Sequence, residues 1–116
     1  DLGYELPDDT ASLPEPVCGV LTEPPTASQL YADLQSGVVV LWHAPGDEAA
    51  SAALAELAAE FPEHAAVSPR PDDAAGILAT SWDRRKAYDE VGAEVGDFLR
   101  TYRARAPQTG GCPADE

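Results

Sequence analysis

Val38-Val39-Val40-Leu41-Trp42-His43-Ala44-Pro45-Gly46 is the most strongly patterned stretch of the chain. Its first six residues are β-branched or large and almost continuously apolar, which is typical of a central strand covered on both faces of a sheet. The proline–glycine pair ends this strand. Residues 47–60 then carry apolar side chains at helical spacing, and two acids lie at the positive end of the helix dipole. The stretch therefore predicts a buried strand that leads through a turn into an amphipathic helix.

Shorter patterns on both sides of this unit complete the predicted architecture. Thr26 or Ser28 can cap a short helix that runs to about residue 35, and Gly37 is placed to end it in a left-handed conformation. The other predicted elements are strands over residues 64–68, 75–82 and 85–88 and a helix over residues 89–104. The order β-α-β-β-α predicts an α+β fold, a single sheet of about four strands with two main helices packed against it, preceded by an irregular arm.

Length and composition indicate one domain. A chain of 116 residues with 44% hydrophobic residues can bury a single core. The expected organisation is an irregular acidic arm over residues 1–17, one α+β domain over residues 18–112 and a tail over residues 113–116. Methionine is absent, even at position 1, so we expect a processed or trimmed chain. No apolar run approaches the roughly 20 residues that span a bilayer, so we expect no membrane insertion.

Charge is distributed very unevenly along this chain, whose net charge is −14. Twelve acids precede the first cation, Arg70, and all seven cations lie between Arg70 and Arg105. Because nucleic-acid binding needs clustered cations, the sequence argues against nucleic acids and against anionic membrane surfaces as partners. A cationic small molecule or peptide is favoured, through a long-range attraction that salt weakens. Pairing between the oppositely charged halves of two copies would instead give a homo-oligomer.

Two cysteines, Cys18 and Cys112, flank the predicted domain. If they pair, the disulfide closes a long loop and contributes roughly 4–5 kcal/mol in the chain-entropy model. Such a disulfide indicates an oxidising compartment, so we expect an extracytoplasmic protein, secreted or membrane-tethered. The alternative is two free thiols that behave as small buried hydrophobic groups, in which case a cytoplasmic location stays open.

A series of short motifs in a fixed order carries a family resemblance. The motifs are Cys18-Gly19-Val20, Leu34-Gln35-Ser36-Gly37 directly before the apolar strand, Ser68-Pro69, Thr80-Ser81-Trp82, Phe98-Leu99-Arg100-Thr101-Tyr102 and Cys112. Over residues 5–112 the chain resembles a degenerate member of a bacterial domain family of unknown function with a Cys-Gly-Val … Leu-Glu-His-Gly signature. Actinobacterial members of that family are typically secreted or membrane-tethered, so the resemblance implies the same location here.

The chain departs from the family pattern where relatives carry their signature histidines. In ungapped register those histidines fall on Ala11, Ala32 and Ser36, and the signature glutamate falls on Gln35. Three imidazoles and a carboxylate would form a plausible metal site in relatives. Alanine has no lone pair to offer and serine is a poor ligand, so we expect no metal and no other cofactor. The family pocket could persist as a more apolar cavity with a new binding role.

The central strand and turn are also similar to the corresponding part of thioredoxins. The Cys-x-x-Cys that should open the helix is missing, and Gly46-Asp47-Glu48-Ala49 stands in its place. Because the thiolate is the nucleophile, thiol–disulfide exchange at this turn is excluded.

Several polar and aromatic residues are candidates for a ligand pocket. Large aromatic side chains can line a cavity, a carboxylate can lie at its mouth, and a histidine at the end of a central strand can act as a general base or hydrogen-bond donor. The pocket candidates are Tyr31, Asp33, Trp42, His43, Trp82 and Tyr88, with His43 as the candidate catalytic residue. The alternatives are core packing for the aromatic residues, a solvated helix-face charge for Asp33, and a histidine that packs with one ring nitrogen bonded to the backbone.

The basic triplet Arg84-Arg85-Lys86 can act as a clamp for an anion or carboxylate, or it can balance nearby acids within the fold. No motif for nucleotide binding or for serine or zinc hydrolysis is present. The sequence therefore favours a small-molecule- or peptide-binding domain. A cofactor-independent enzyme of a biosynthetic pathway, which holds its substrate in a shaped pocket, is the first alternative. A charge-polarised protein-interaction module is the second.

Overall fold

One mixed sheet of five strands organises the fold in the computed structural model, which describes residues 17–61, 63–71, 76–82 and 84–103. The strands are β1 (Gly19–Val20), β2 (Val39–His43), β3 (Ala65–Pro69), β4 (Ile77–Thr80) and β5 (Arg85–Tyr88). The helices are α1 (Ala27–Gln35), α2 (Glu48–Ala59) and α3 (Ala93–Tyr102). None of the helices in these ranges is long and apolar enough to cross a bilayer.

The sheet has the spatial order β1-β3-β2-β4-β5. Strand β3 pairs in parallel with both β1 and β2, whereas β4 is antiparallel to β2 and β5 is antiparallel to β4. Neighbouring parallel strands need a crossover connection, which α2 provides between β2 and β3. The antiparallel strands β4 and β5 need only a short connection between Thr80 and Arg85. Within the described residues, β1 and β5 are therefore the two edges of the sheet.

Strand β2 lies at the centre of the sheet, and all five of its residues are buried. Its side chains alternate between the two faces, as the geometry of a strand requires. Val39 and Leu41 enter one apolar cluster, while Val40 and Trp42 enter the other. A strand that is buried on both faces in this way explains the nearly continuous apolar pattern of the sequence.

Helices α2 and α3 cover the face that we call the α2–α3 face. Leu54 of α2 and Val95 and Leu99 of α3 are fully buried there against Leu41 of β2. Gly96 of α3 is buried and faces α2, since a Cβ at this position would lie in ordinary van der Waals contact, 3.5 Å from the Cδ2 of Leu57.

Helix α1 covers the opposite face, called the α1 face. Leu30 and Leu34 pack there with Val40, Trp42 and Leu78. The side-chain oxygen of Thr26 accepts a hydrogen bond from the Gln29 amide at 3.2 Å and so caps the start of the helix. Gly37, with φ of 87°, follows the end of the helix. Both the Thr26 cap, one of two predicted candidates, and the left-handed Gly37 are therefore confirmed.

The predicted α+β class, with a single sheet and helices packed against it, is confirmed. The sheet has a fifth strand, β1, whose two residues are too few to show a period in the sequence. Helix α1 packs against the sheet as a third helix, in addition to the two main helices that were predicted. Helix α3 begins at Ala93 rather than Asp89, because residues 89–92 turn the chain between β5 and α3. The predicted arm, the tail and Cys112 lie outside the described residues, except for Val17.

Truncation of the central strand should strongly destabilise the fold. Leu41→Ala leaves a cavity beneath α2 and α3, and we expect the free energy of unfolding to fall by about 3 kcal/mol. Val20→Ala, at a position that is 54% exposed, should cost less than about 1 kcal/mol. Urea denaturation of both variants and the parent chain measures these differences. Equal effects of the two substitutions would contradict the central position of β2.

Candidate functional site

A cleft of about 320 Å³ lies between β5 and α3 at the edge of the α2–α3 face. Strand β5 and the residue before it contribute three cations and a tyrosine, and α3 contributes acids, aromatic rings and a hydroxyl. The lining residues are Arg84, Arg85, Lys86, Tyr88, Glu94, Asp97, Phe98, Thr101 and Tyr102. We call this the β5–α3 cleft.

The register of the sheet explains why β5 presents Lys86 and Tyr88 to the cleft. These residues lie opposite Ala79 and Ile77 of β4, which point into the α2–α3 face. Residues directly opposite each other in a sheet share a face. On α3, Phe98 and Tyr102 lie one turn apart, and their ring centroids are 4.7 Å apart. Tyrosine rings therefore border the cleft on both its strand side and its helix side.

Cations lie over both tyrosine rings. The guanidinium carbon of Arg84 lies 6.0 Å from the ring centroid of Tyr102. The Lys86 ammonium lies 5.5 Å from the ring centroid of Tyr88. Such contacts are favourable because the face of an aromatic ring carries partial negative charge.

Two acids of α3 also line the cleft. Glu94 lies in the first turn of the helix, and Asp97 forms an ion pair with Arg100, one turn further along. The Tyr88 hydroxyl donates a long hydrogen bond of 3.5 Å to the Glu94 carbonyl oxygen. Burial raises the pKa of Tyr88, and the carboxylates of Glu94 and Asp97 raise it further. The cleft thus contains charges of both signs: Arg84 lies over the Tyr102 ring, and Lys86, Glu94 and Asp97 lie around Tyr88. Such a mixture suits a ligand that carries both charges.

Asp33 is a charged residue in an unusual position, because its side chain is fully buried between α1 and the segment that leads into β1. Its Oδ1 accepts hydrogen bonds from the Val17 amide at 2.8 Å and from the Gln29 side-chain amide at 2.9 Å. Its Oδ2 is buried with no hydrogen-bond partner among the residues that the structure describes. Asp33 is therefore not the solvated helix-face charge that was the alternative interpretation of the sequence.

The environment of Asp33 makes the protein's stability depend on pH. Burial raises the pKa of Asp33 from 3.8 to about 6, although the hydrogen bonds from Val17 and Gln29 act in the opposite direction. A raised folded-state pKa means that the folded protein binds the proton more tightly than the unfolded chain does. The contribution of this group to stability is therefore present below pH 4 and is lost as the pH rises through about 6.

The aromatic candidates divide into a contact pair and a core residue. Tyr31 and Trp82 meet edge to face, with ring centroids 5.4 Å apart and an angle of 80° between the rings. Trp42 is fully buried on the α1 face. Its indole nitrogen donates to the Thr80 hydroxyl at 3.0 Å, and that hydroxyl donates to the Val40 carbonyl oxygen at 3.2 Å. Trp42 is thus held in the core by packing and by a satisfied polar group.

His43 ends β2, is 6% exposed, and its Nδ1 lies 2.9 Å from the carbonyl oxygen of Ala44. Because a carbonyl oxygen only accepts, Nδ1 carries the proton in this hydrogen bond. The bond matches the packing interpretation of this histidine, and a catalytic role for it stays a prediction.

The six predicted pocket residues do not form one cluster. The structure brings Tyr31 and Trp82 together on the α1 face, where Asp33 and Trp42 are buried, and it places Tyr88 on the opposite face of the sheet. The sequence identified the basic triplet and Tyr88. The other side of the cleft was missed, because the approach of α3 to β5 depends on how the helix packs. In the sequence, this side of the cleft could have been inferred only from the aromatic residues at helical spacing in α3 and the acids next to them.

Of the three positions at which the family resemblance predicted histidines in relatives, Ala32 is buried within α1, Ser36 is buried at its C-cap, and Ala11 lies outside the described residues. In the described part of the chain, no three His, Cys, Asp or Glu side chains come together as a potential metal site. Cys18 is partly buried and packs against the α1-face cluster. Its pairing with Cys112, which lies outside the described residues, stays a prediction.

The fold and the cleft define a small α+β domain with one candidate binding site. Comparison with protein families then identifies its family. The chain belongs to the family described as "Protein of unknown function (DUF3105)", which matches residues 14–114. Searches of curated proteins and of solved structures give no match.

Replacement of the buried carboxyl should remove part of the pH dependence of folding. We expect the free energy of unfolding of the parent protein to rise by about 2 kcal/mol between neutral pH and pH 4 through Asp33 alone. Asp33→Asn cannot titrate and should show a flatter profile. The exposed helix cap Asp47 is a matched control, since Asp47→Asn keeps the capping oxygen and removes a solvated charge.

Urea denaturation at several pH values measures all three profiles. General repulsion among the acids affects Asp47→Asn and Asp33→Asn alike, so the comparison isolates the buried group. Parallel profiles for Asp33→Asn and the parent protein would contradict the raised pKa.

Proposed function

We propose that this domain binds a small molecule or peptide in the β5–α3 cleft. The observation that supports the proposal is the cleft itself, in which two tyrosines carry cations over their rings and two carboxylates, Glu94 and Asp97, line the same space. Concave sites with apolar walls and a few charged groups are the usual form of ligand-binding sites.

The charges of the cleft indicate the chemistry of the ligand. A carboxylate on the ligand would be stabilised near Arg84 and Lys86, and an amino group would be stabilised near Glu94 and Asp97. Peptides and amino-acid-like molecules carry both groups. The acidic first half of the chain adds a long-range attraction for the cationic part of such a ligand.

The proposed location is extracytoplasmic, in a secreted or membrane-tethered protein of actinobacterial type. The support comes from the two cysteines and from the order of the family motifs, including Cys18-Gly19-Val20. An oxidising compartment would allow a Cys18–Cys112 disulfide to form and persist.

Reduction should therefore destabilise the protein. We expect the reductant to lower the free energy of unfolding by about 4 kcal/mol, because the opened loop regains conformational entropy in the unfolded state. Thermal unfolding with and without dithiothreitol measures the loss. The double variant Cys18→Ser/Cys112→Ser controls for other effects of the reductant and should not respond to it. Identical melting of the oxidised and reduced parent protein would remove the support for this location.

Binding is tested with a melting screen of dipeptides and amino-carboxylates at low and high salt, followed by calorimetry on the compounds that stabilise the protein. Lys86→Gln removes an exposed cation from the cleft, and Tyr102→Ala removes a ring. We expect each to weaken binding about tenfold, which corresponds to about 1.4 kcal/mol. Salt should also weaken binding.

Tyr31→Ala is the matched control, because it removes a partly buried tyrosine from the other face of the sheet. It should leave the affinity unchanged. Normal affinity in both cleft variants, or loss of binding in Tyr31→Ala alone, would show that the ligand binds elsewhere.

A further inference from the structure

Strand β5 is an edge strand with a strong positive charge, in a chain whose net charge is −14. Three of its four residues are exposed, and none of the described strands pairs with its outer edge. Unpaired strand edges can accept a further strand from another chain. We propose that β5 binds an extended acidic peptide segment of a partner protein as an additional strand of the sheet. This inference rests on the proposed binding role of the β5–α3 cleft and names the class of its ligand.

The turn before β5 establishes which of its backbone groups face outward. The Ser81 amide donates to the Arg84 carbonyl oxygen at 2.8 Å, so these two residues form a hydrogen-bonded pair across the turn. Hydrogen-bonded and non-hydrogen-bonded pairs alternate along an antiparallel ladder. Lys86 and Tyr88 therefore direct their backbone groups toward β4, whereas Arg85 and Ala87 direct theirs toward the free edge.

The position of Gly76 agrees with this alternation. A Cβ at Gly76 would lie 3.1 Å from the carbonyl oxygen of Tyr88, so that oxygen faces the β4 side of the strand. The free edge thus offers an amide and a carbonyl group from each of Arg85 and Ala87. These groups can form hydrogen bonds with one short extended segment.

Charge complementarity supports an acidic segment as the partner. Arg84, Arg85 and Lys86 follow one another along this edge, and alternation puts Arg85 and Lys86 on opposite faces of the sheet. A bound strand would place successive side chains beside these two cations on the two faces. Side chains on the Lys86 side would enter the β5–α3 cleft. Acidic residues at neighbouring positions of the partner would therefore pair with both cations, whereas a basic strand would be repelled.

The opposite edge of the described sheet is a poorer docking site. Strand β1 has two residues, and a longer segment could pair with it only over that length. Strand β5 has four residues and contains no proline. Both length and charge therefore select β5.

Ala87→Pro tests strand addition directly. Proline has no backbone N–H, but the Ala87 amide faces away from β4, so the native ladder keeps all its hydrogen bonds. The probe is a blocked synthetic peptide in which pairs of neighbouring Glu residues alternate with pairs of Thr residues, so that both faces of the bound strand carry acids. Its affinity is measured by calorimetry at low salt. We expect Ala87→Pro to weaken binding at least about tenfold, while Ala87→Ser, which keeps the amide, binds as the parent protein does. Thermal unfolding of Ala87→Pro should match that of the parent protein within a few degrees.

Three further comparisons test backbone pairing and charge separately. The same peptide with N-methyl groups on the residues that face β5 should fail to bind, and methylation of the intervening residues should be tolerated. The same peptide with Lys in place of every Glu should not bind. Arg85→Gln should weaken binding of the acidic peptide and reduce its salt dependence. Because Arg85 also lines the cleft, Ala87→Pro is the variant that separates strand addition from the cleft.

The outcomes separate this inference from the proposed cleft function. Equal affinities of Ala87→Pro and Ala87→Ser, together with loss of binding in Lys86→Gln, would overturn strand addition but leave the cleft as a binding site. Absence of peptide binding by the parent protein would also overturn it, and the dipeptide screen then decides the cleft independently. A concentration-dependent dimer that Ala87→Pro abolishes would overturn the partner peptide in favour of a second copy of this chain.

Discussion

The burial of β2 on both faces is the interaction on which the rest of the structure depends. Each residue of this strand is removed from water, and its alternating side chains join two separate apolar clusters. Apolar burial is the main favourable contribution to folding, and it obliges helices to cover both sides of the strand. Helix α1 therefore packs on one face and α2 with α3 on the other. The cleft follows from this arrangement, because α3 covers β4 and leaves part of β5 accessible beside it.

The charged groups discussed above lie in two environments, the solvent-accessible β5–α3 cleft and the buried site of Asp33. In the β5–α3 cleft the charges remain near solvent, where they can interact with a ligand at little cost in desolvation. Asp33 is buried, and one of its oxygens lacks a hydrogen-bond partner among the described residues. Its other oxygen ties the chain at Val17 to α1, so this carboxyl contributes a specific contact and also an energetic penalty when it is ionised. The pKa of Asp33 is raised because burial makes the ionised carboxylate less stable than the protonated form.

The central strand, the amphipathic helix α2, the Thr26 cap and the left-handed Gly37 were all predictable from the sequence. Each depends on residues within a few positions of one another. The extent of β1 and the start of α3 were not predictable, because a two-residue strand has no period and a turn of four residues has no strong stop signal. Of the residues that line the cleft, the sequence analysis had named Tyr88 as a pocket candidate and the basic triplet as a possible clamp. Their partners on α3 were not named, since nothing local links positions 84–88 to positions 94–102.

The sequence by itself determined the α+β class, the doubly covered strand and the uneven charge of the chain, because these follow from apolar periodicity and from composition. Only the tertiary structure decided that the predicted aromatic residues lie on two faces and that α3 forms a cleft with β5. It also decided that Asp33 is buried rather than solvated. The physical reason is that these features depend on contacts between residues distant in the chain, where the shape of the packed layers selects the neighbours of each side chain.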